Sequence, residues 1–193
     1  MTLHEGKIHR KSPLKMLVSG SVSVALAWLL SCFKILHMPQ GGGVSLEMVP
    51  LVLFSLFYGV LPGLLAGVSY GLLHFTQSIF VIHPVQFLLD YPLAFGAAAV
   101  AGFFAGKRRS PLMDVLAVLS AFGARFACHV LSGVLFLSLF VKALPQNPLF
   151  YVMVYNATYL LPDALIAVLI VPLLAARLDR VYTQEHTRGH HER

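Results

Sequence analysis

The residues in this chain that could do chemistry are few, and they lie where such residues are costly. Asp90, Arg125, His129 and Asp163 each fall within long apolar runs, with Tyr151 and Asn156 in the same kind of surroundings. An ionisable side chain inside a membrane segment marks a site or a paired contact, because lipid offers it no hydration. Arg125 and His129 are spaced i, i+4 and so share one helical face. Tyr151 and Asn156 sit about 7–8 Å apart along a helix axis at 1.5 Å per residue. Aromatic residues flank these positions, among them Tyr70, Phe80, Phe87, Tyr91, Tyr155 and Tyr159. A carboxylate inside an outward-open aromatic cup suits an organic cation. The carboxylate compensates the charge, and the ring faces add about 2 kcal/mol or more of cation–π attraction when the site is desolvated. Asn and Tyr add directional hydrogen bonds that choose among ligands of similar shape.

Each of these residues also has a plainer reading. Asp90 could accept from a backbone donor at a helix start, and His129 could be a core histidine paired with a carbonyl. Arg125 reads more readily as structural than as ligand-binding, with Asp163 or carbonyl oxygens as its partner. Asp163 follows Pro162 and could cap the second half of a kinked helix. The histidines match no metal-ligand spacing. The two cysteines, Cys32 and Cys128, both lie in apolar blocks and imply no disulfide framework.

The elements that must hold such a site are membrane helices. Of the 193 residues, 58% are hydrophobic and only 11% are charged, and the mean hydropathy is +0.78. A soluble domain has about a quarter of its residues charged. The apolar residues run in blocks, and a membrane crossing takes about 20 of them as helix. The pattern predicts an all-α integral membrane bundle of six transmembrane helices, at about 16–36, 48–58, 62–75, 86–106, 112–140 and 149–175. The division of 48–75 falls at Gly59–Gly63, and Pro162 and Pro172 interrupt the sixth helix. Three stretches are expected as loops: 37–47 with three consecutive glycines, 76–85, and 141–148. Residues 1–15 form a short N-terminal segment, 16–176 the membrane domain and 177–193 a polar tail that frays. The net charge of +6 is no nucleic-acid footprint, because the basic residues clump between apolar blocks. The clumps are Lys7, Arg10, Lys11 and Lys15, then Lys107–Arg109, then Arg177 and Arg180. By the positive-inside bias, an even number of crossings puts the N- and C-termini in the cytoplasm.

Four stretches resemble one family in order along the chain. They are Met38–Pro50 with its Gly-Gly-Gly, Ile82–Phe95 (Ile-His-Pro-Val-Gln-Phe-Leu-Leu-Asp-Tyr-Pro-Leu-Ala-Phe), Arg125–Gly133 (Arg-Phe-Ala-Cys-His-Val-Leu-Ser-Gly), and Tyr151–Asn156 (Tyr-Val-Met-Val-Tyr-Asn). Together they are similar to the ThiT (YuaJ) family, the thiamine-specific S components of energy-coupling factor (ECF) importers, from about residue 16 to 176. The resemblance implies a thiamine pocket near the outer surface. Its acidic ligand residue falls on Asp90, its following tyrosine on Tyr91, and its histidine on His129. The remaining family positions fall on Tyr151 and Asn156, with aromatic walls at Tyr70 and Phe80. The chain departs from the pattern in two places. Where some members stack a loop tryptophan on the ligand, Gly41–Gly43 stand, and an aromatic wall on the fifth helix is replaced by Leu137, with Phe136 beside it. Both departures bear on stacking strength. The glycine loop remains able to act as a lid.

The chain has no Gly-x-x-x-x-Gly-Lys-Ser/Thr phosphate loop, and no cofactor is expected. The resemblance implies partners that use ATP: a transmembrane coupling subunit and two cytosolic ATPases, in a bacterial plasma membrane. Helix one carries small residues at i, i+4 spacing, Ser21 and Ala25, then Ser23 and Ala27, which let helices approach closely. The family docks through such a motif, and ordinary internal packing is the alternative. An S component for another cationic vitamin is the second reading. An intramembrane hydrolase is the remote one, because Cys128 and Ser132 lie too near His129 in sequence to make a persuasive nucleophile.

Overall fold

The computed structural model describes residues 12–39, 42–77, 81–106, 110–141 and 144–191. Among them are six helices in order: α1 Pro13–Ser31, α2 Met48–Tyr58, α3 Val60–His74, α4 Pro84–Phe104, α5 Pro111–Phe140 and α6 Pro148–His191. Between α1 and α2 lies a small antiparallel hairpin of β1 Leu36–His37 and β2 Gly43–Val44. The helices α1, α4, α5 and α6 are each long and apolar enough to cross a membrane. Phe80, Gln40, Gly41, Lys142 and most of the residues in the first two basic clumps lie outside the described residues.

The shorter helices α2 and α3 follow one another, and Gly59 makes the corner. Its φ is +92°, a left-handed conformation that glycine adopts without steric cost. Its N–H still caps α2 by donating to the Ser55 carbonyl at 2.8 Å. Pro62 sits in the first turn of α3, where a missing N–H breaks no helical bond. The expected division falls here, with α3 starting at Val60. In α2, Met48 through Leu56 are all buried, so this helix is apolar on every side and forms the middle of the bundle. It packs against α1, α3, α4 and α6. The outward positions carry leucines left half or more exposed, among them Leu17, Leu61, Leu119, Leu135, Leu165 and Leu169. Leucines turned outward are the side chains that lipid solvates.

The irregular helix is α4. It is α-helical at Pro84–Leu88, a π-turn at Leu89–Leu93, and a tight 3₁₀ helix at Ala97–Phe104. Pro92 sits in the π-turn and cannot donate to the carbonyl four residues back. A π-turn absorbs such a lost bond and re-aims the side chains beside it, here Asp90 and Tyr91. Glycines on α3 let this segment come close. A Cβ on Gly67 would meet the Phe95 carbonyl oxygen, and one on Gly71 would meet that of Tyr91.

The sequence expectation differs from the structure in three places. The first helix, expected to reach 36, ends at Ser31. The loop expected at 37–47 is ordered by a hairpin that begins at Leu36 and ends at Val44. In α6 the helix runs unbroken through Pro162 and Pro172 and continues to His191, where a break and a frayed tail were expected. In apolar surroundings a proline inside a helix is tolerated, because neighbouring groups take up the freed carbonyl. A helix already nucleated also extends at one hydrogen bond per added residue.

The packing of α3 on α4 predicts a contrast between two glycines. Gly67→Ala forces a methyl group onto backbone and should cost about 1–3 kcal/mol. Gly123→Ala has nothing within 4 Å of the new Cβ and should be neutral or stabilising by up to about 1 kcal/mol. Thermal unfolding of the detergent-solubilised protein reads both.

Candidate binding site

The π-turn of α4 aims the Asp90 carboxylate into a cavity of about 120 Å³, whose walls come from α4, α5, α6 and the hairpin. Three side chains hold this carboxylate. Gln86, one turn earlier on α4, donates to Oδ2 at 2.8 Å, and Ser132 on α5 donates to the same oxygen at 2.8 Å. His129 Nδ1 lies 3.0 Å from Oδ1. These donors come from side chains, so Asp90 is no helix cap. His129 likewise pairs with a carboxylate rather than with a core carbonyl.

Behind the carboxylate lies a buried ionic cluster. Glu47, the last residue before α2, accepts from Arg125 Nη2 at 2.9 Å and from the Tyr70 hydroxyl at 2.6 Å. His74 Nδ1 stands 3.5 Å from the same carboxylate. Asp163 on α6 lies 3.9 Å from Arg125 Nη1, so the expected Arg125–Asp163 partnership is present but secondary to Glu47. The guanidinium carbon sits 4.3 Å over the Phe95 ring. Burial by itself would raise the Glu47 carboxyl, but Arg125, then His74, and the Tyr70 hydroxyl reverse that. They hold it well below the usual carboxylate range.

The aromatic wall is a stripe on α6. Tyr151, Tyr155 and Tyr159 follow at i, i+4 and i+8, with successive ring centroids 6.4 and 6.3 Å apart. Asn156 accepts from the Tyr159 hydroxyl at 2.6 Å and donates to the Val152 carbonyl at 2.9 Å, so its amide orientation is set before any ligand arrives. Tyr91 and Phe95 close the opposite side, and Gly42 and Gly43 of the hairpin complete the lining. Gly42 has φ +85°, and a Cβ there would come within 2.7 Å of the Tyr159 ring. Nothing larger than glycine fits between the hairpin and that ring.

A family model described as thiamine transporter protein matches residues 17–183. The chain belongs to the thiamine transporter protein family. It is 35% identical over 188 residues to the thiamine transporter ThiT of Bacillus subtilis (strain 168), spanning 90% of this chain and 97% of that protein. The fold is shared with a solved structure of ThiT from Listeria monocytogenes, at a TM-score of 0.78 and 22% identity over 89% of this chain and 99% of that one. The family is one of transporters, not enzymes. Ser132, weighed from sequence as a nucleophile, donates to Asp90.

Of the residues expected from sequence, the structure of this transporter brings Asp90, Tyr91, His129, Tyr151 and Asn156 to one cavity. Tyr70 is not on its wall. It is fully buried, and its hydroxyl supports Glu47 from behind, because Gly67 and Gly71 draw α3 against α4 and turn that ring inward. Phe80 lies outside the described residues. Leu137 lines the cavity, whereas Phe136 stacks on the His83 ring at 5.0 Å and faces away. On α1, Ser21 and Ala25 border a lipid-facing groove shared with α3. Ser23 is half-buried, with its hydroxyl on the Ser19 carbonyl at 2.8 Å. Ala27 is fully buried in the core and is no part of an outer docking face, because the Ala27–Ser31 edge of α1 turns inward.

Tyr155 and Tyr159, named from sequence among the flanking aromatics, line the cavity, whereas sequence reasoning did not single out Glu47, Gln86 or Lys34 as lining residues. Glu47 carried a signal: a carboxylate directly before an apolar run needs a buried cation, and Arg125 lies midway along an apolar helix.

Arg125→Ala leaves Glu47 buried without its main partner and should cost about 3–5 kcal/mol, whereas the paired change Glu47→Gln with Arg125→Met should recover most of that loss. Thermal unfolding of the apo protein in detergent measures both.

Proposed function

We propose that this chain is the high-affinity thiamine-binding S component of an ECF-type importer in a bacterial plasma membrane. It takes thiamine from outside and delivers it through a transmembrane coupling subunit driven by two cytosolic ATPases. The observation that carries the ligand is Asp90: a carboxylate with three side-chain donors, open to a cavity walled by tyrosines. Thiamine carries a permanent positive charge on one ring and a hydrogen-bonding aminopyrimidine on the other. The carboxylate meets the first requirement and the polar atoms of Tyr151 and Asn156 meet the second. The names of the relatives support the same ligand.

The coupling subunit is proposed from sequence resemblance and from the shape of α1. Ser21 and Ala25 stand exposed beside a groove with Leu17, Gly20, Leu65 and Phe54, where another helix could approach at short range. Six crossings with both termini in the cytoplasm follow from the distribution of lysine and arginine. The resulting task is division of labour: this chain selects the vitamin, and its partners supply the energy.

Calorimetric titration of the purified protein with thiamine, riboflavin and biotin tests the ligand. Thiamine should bind and the other two should not. Asp90→Asn should weaken thiamine by at least about tenfold, or 1.4 kcal/mol. Equal binding by that variant would remove charge pairing as the basis of recognition, and preference for another cation would move the chain to a different vitamin.

A further inference from the structure

The mechanism proposed above uses Asp90 and His129 but gives Arg125 no part beyond stability. The hydrogen-bond directions around His129 give it one. Arg125 Nε lies 3.4 Å from His129 Nε2 and is oriented to donate to it. A guanidinium has only donors, so Nε2 must present its lone pair. The ring then carries its proton on Nδ1, which faces Asp90 Oδ1 at 3.0 Å. The two contacts agree only for one form of the imidazole, the neutral ring protonated on Nδ1.

We propose that Arg125 is a positioning residue that fixes His129 as the Nδ1–H tautomer, so that Asp90 keeps its whole negative charge for a cationic ligand. This inference rests on the ligand reading above for its consequence but not for its first test. An imidazolium at His129 would form an ion pair with Asp90 and leave the cavity wall close to neutral. A neutral donor orients the carboxylate without cancelling it. Arg125 itself has little freedom to turn away. Glu47 holds Nη2 at 2.9 Å, Asp163 lies 3.9 Å from Nη1, and the Phe95 ring lies 4.3 Å beneath. Two further ionisable groups near the ring have their own partners or orientation. His74 on α3 is turned to Glu47 and Tyr70, and Tyr159 on α6 meets the His129 ring edgewise at 6.2 Å. The i, i+4 spacing of Arg125 and His129 on α5 therefore does more than share a face. It lets one side chain set the protonated nitrogen of the other.

The test has two parts. Full-length protein labelled with ¹⁵N-histidine, with the His129 signals assigned by their loss in His129→Gln, should show a protonated Nδ1 and a bare Nε2 at neutral pH without ligand. In the Glu47→Gln, Arg125→Met variant, which removes both partners of the buried pair, Nε2 should become protonated. Affinity is then compared for thiamine and for an isostere whose thiazolium is an uncharged ring. The variant should lose at least about tenfold in thiamine affinity while its affinity for the isostere stays within about twofold. A protonated Nε2 in the wild type, or equal losses for both ligands, overturns the proposal. Failure of the wild type to bind thiamine at all would instead sink the ligand reading, and the ¹⁵N pattern would still decide the tautomer.

Discussion

A carboxylate in apolar surroundings survives only if other groups replace the water it has lost. For Asp90 those groups are Gln86, His129 and Ser132, and most of the bundle follows from bringing them together. Gln86 shares its helix. His129 and Ser132 lie on α5, so α4 and α5 must meet at this depth with defined rotation. The π-turn at Leu89–Leu93 supplies that rotation, and the glycines of α3 make room for the irregular backbone on the far side. A regular helix at this point would aim Asp90 elsewhere. The conformation that Pro92 imposes is therefore the local irregularity on which the cavity depends.

Behind this first layer stands a second one with the opposite purpose. Glu47, Arg125, Asp163, Tyr70 and His74 engage one another, with Arg125 Nη1 left without a hydrogen bond, and Glu47, His74 and Arg125 also reach the cavity. Replacing such a cluster by apolar residues is often neutral in stability, so its presence calls for another reason. Geometry gives one: the cluster ties α2, α3, α5 and α6 together at the base of the cavity and fixes the donor that faces His129. The layer around Asp90 opens onto the cavity, and the cluster beside it holds that layer still.

Much of this was legible in the sequence, and the rest was hidden for identifiable reasons. Apolar block lengths located all six helices, because lipid leaves no other way to satisfy a backbone. Gly59 marked the corner between α2 and α3. Asp90, His129, Tyr151 and Asn156 stood out because polar side chains are rare in such blocks. Tyr70 was misplaced on the cavity wall because an aromatic residue near a helix end has no direction in sequence; the glycines that rotate it inward reveal theirs only when α4 is packed against them. Ala27 misled for a similar reason, since small residues serve internal packing and outer docking equally well. The π-turn could not be read either, because a proline after Asp-Tyr signals a disturbed helix without saying whether it kinks, widens or ends.

The last third of α4 carries one more consequence. Residues Ala97–Phe104 form a 3₁₀ helix, which rises about 2.0 Å per residue where an α-helix rises about 1.5 Å. Eight residues wound this way reach about 4 Å further than an α-helix would, and the rod they make is slimmer. Its small side chains, Ala97, Ala98, Ala99, Ala101 and Gly102, are all buried. The polypeptide thus recovers bilayer reach that the wide π-turn gives up. It does so with a spindle thin enough for α2, α3 and α5 to crowd around.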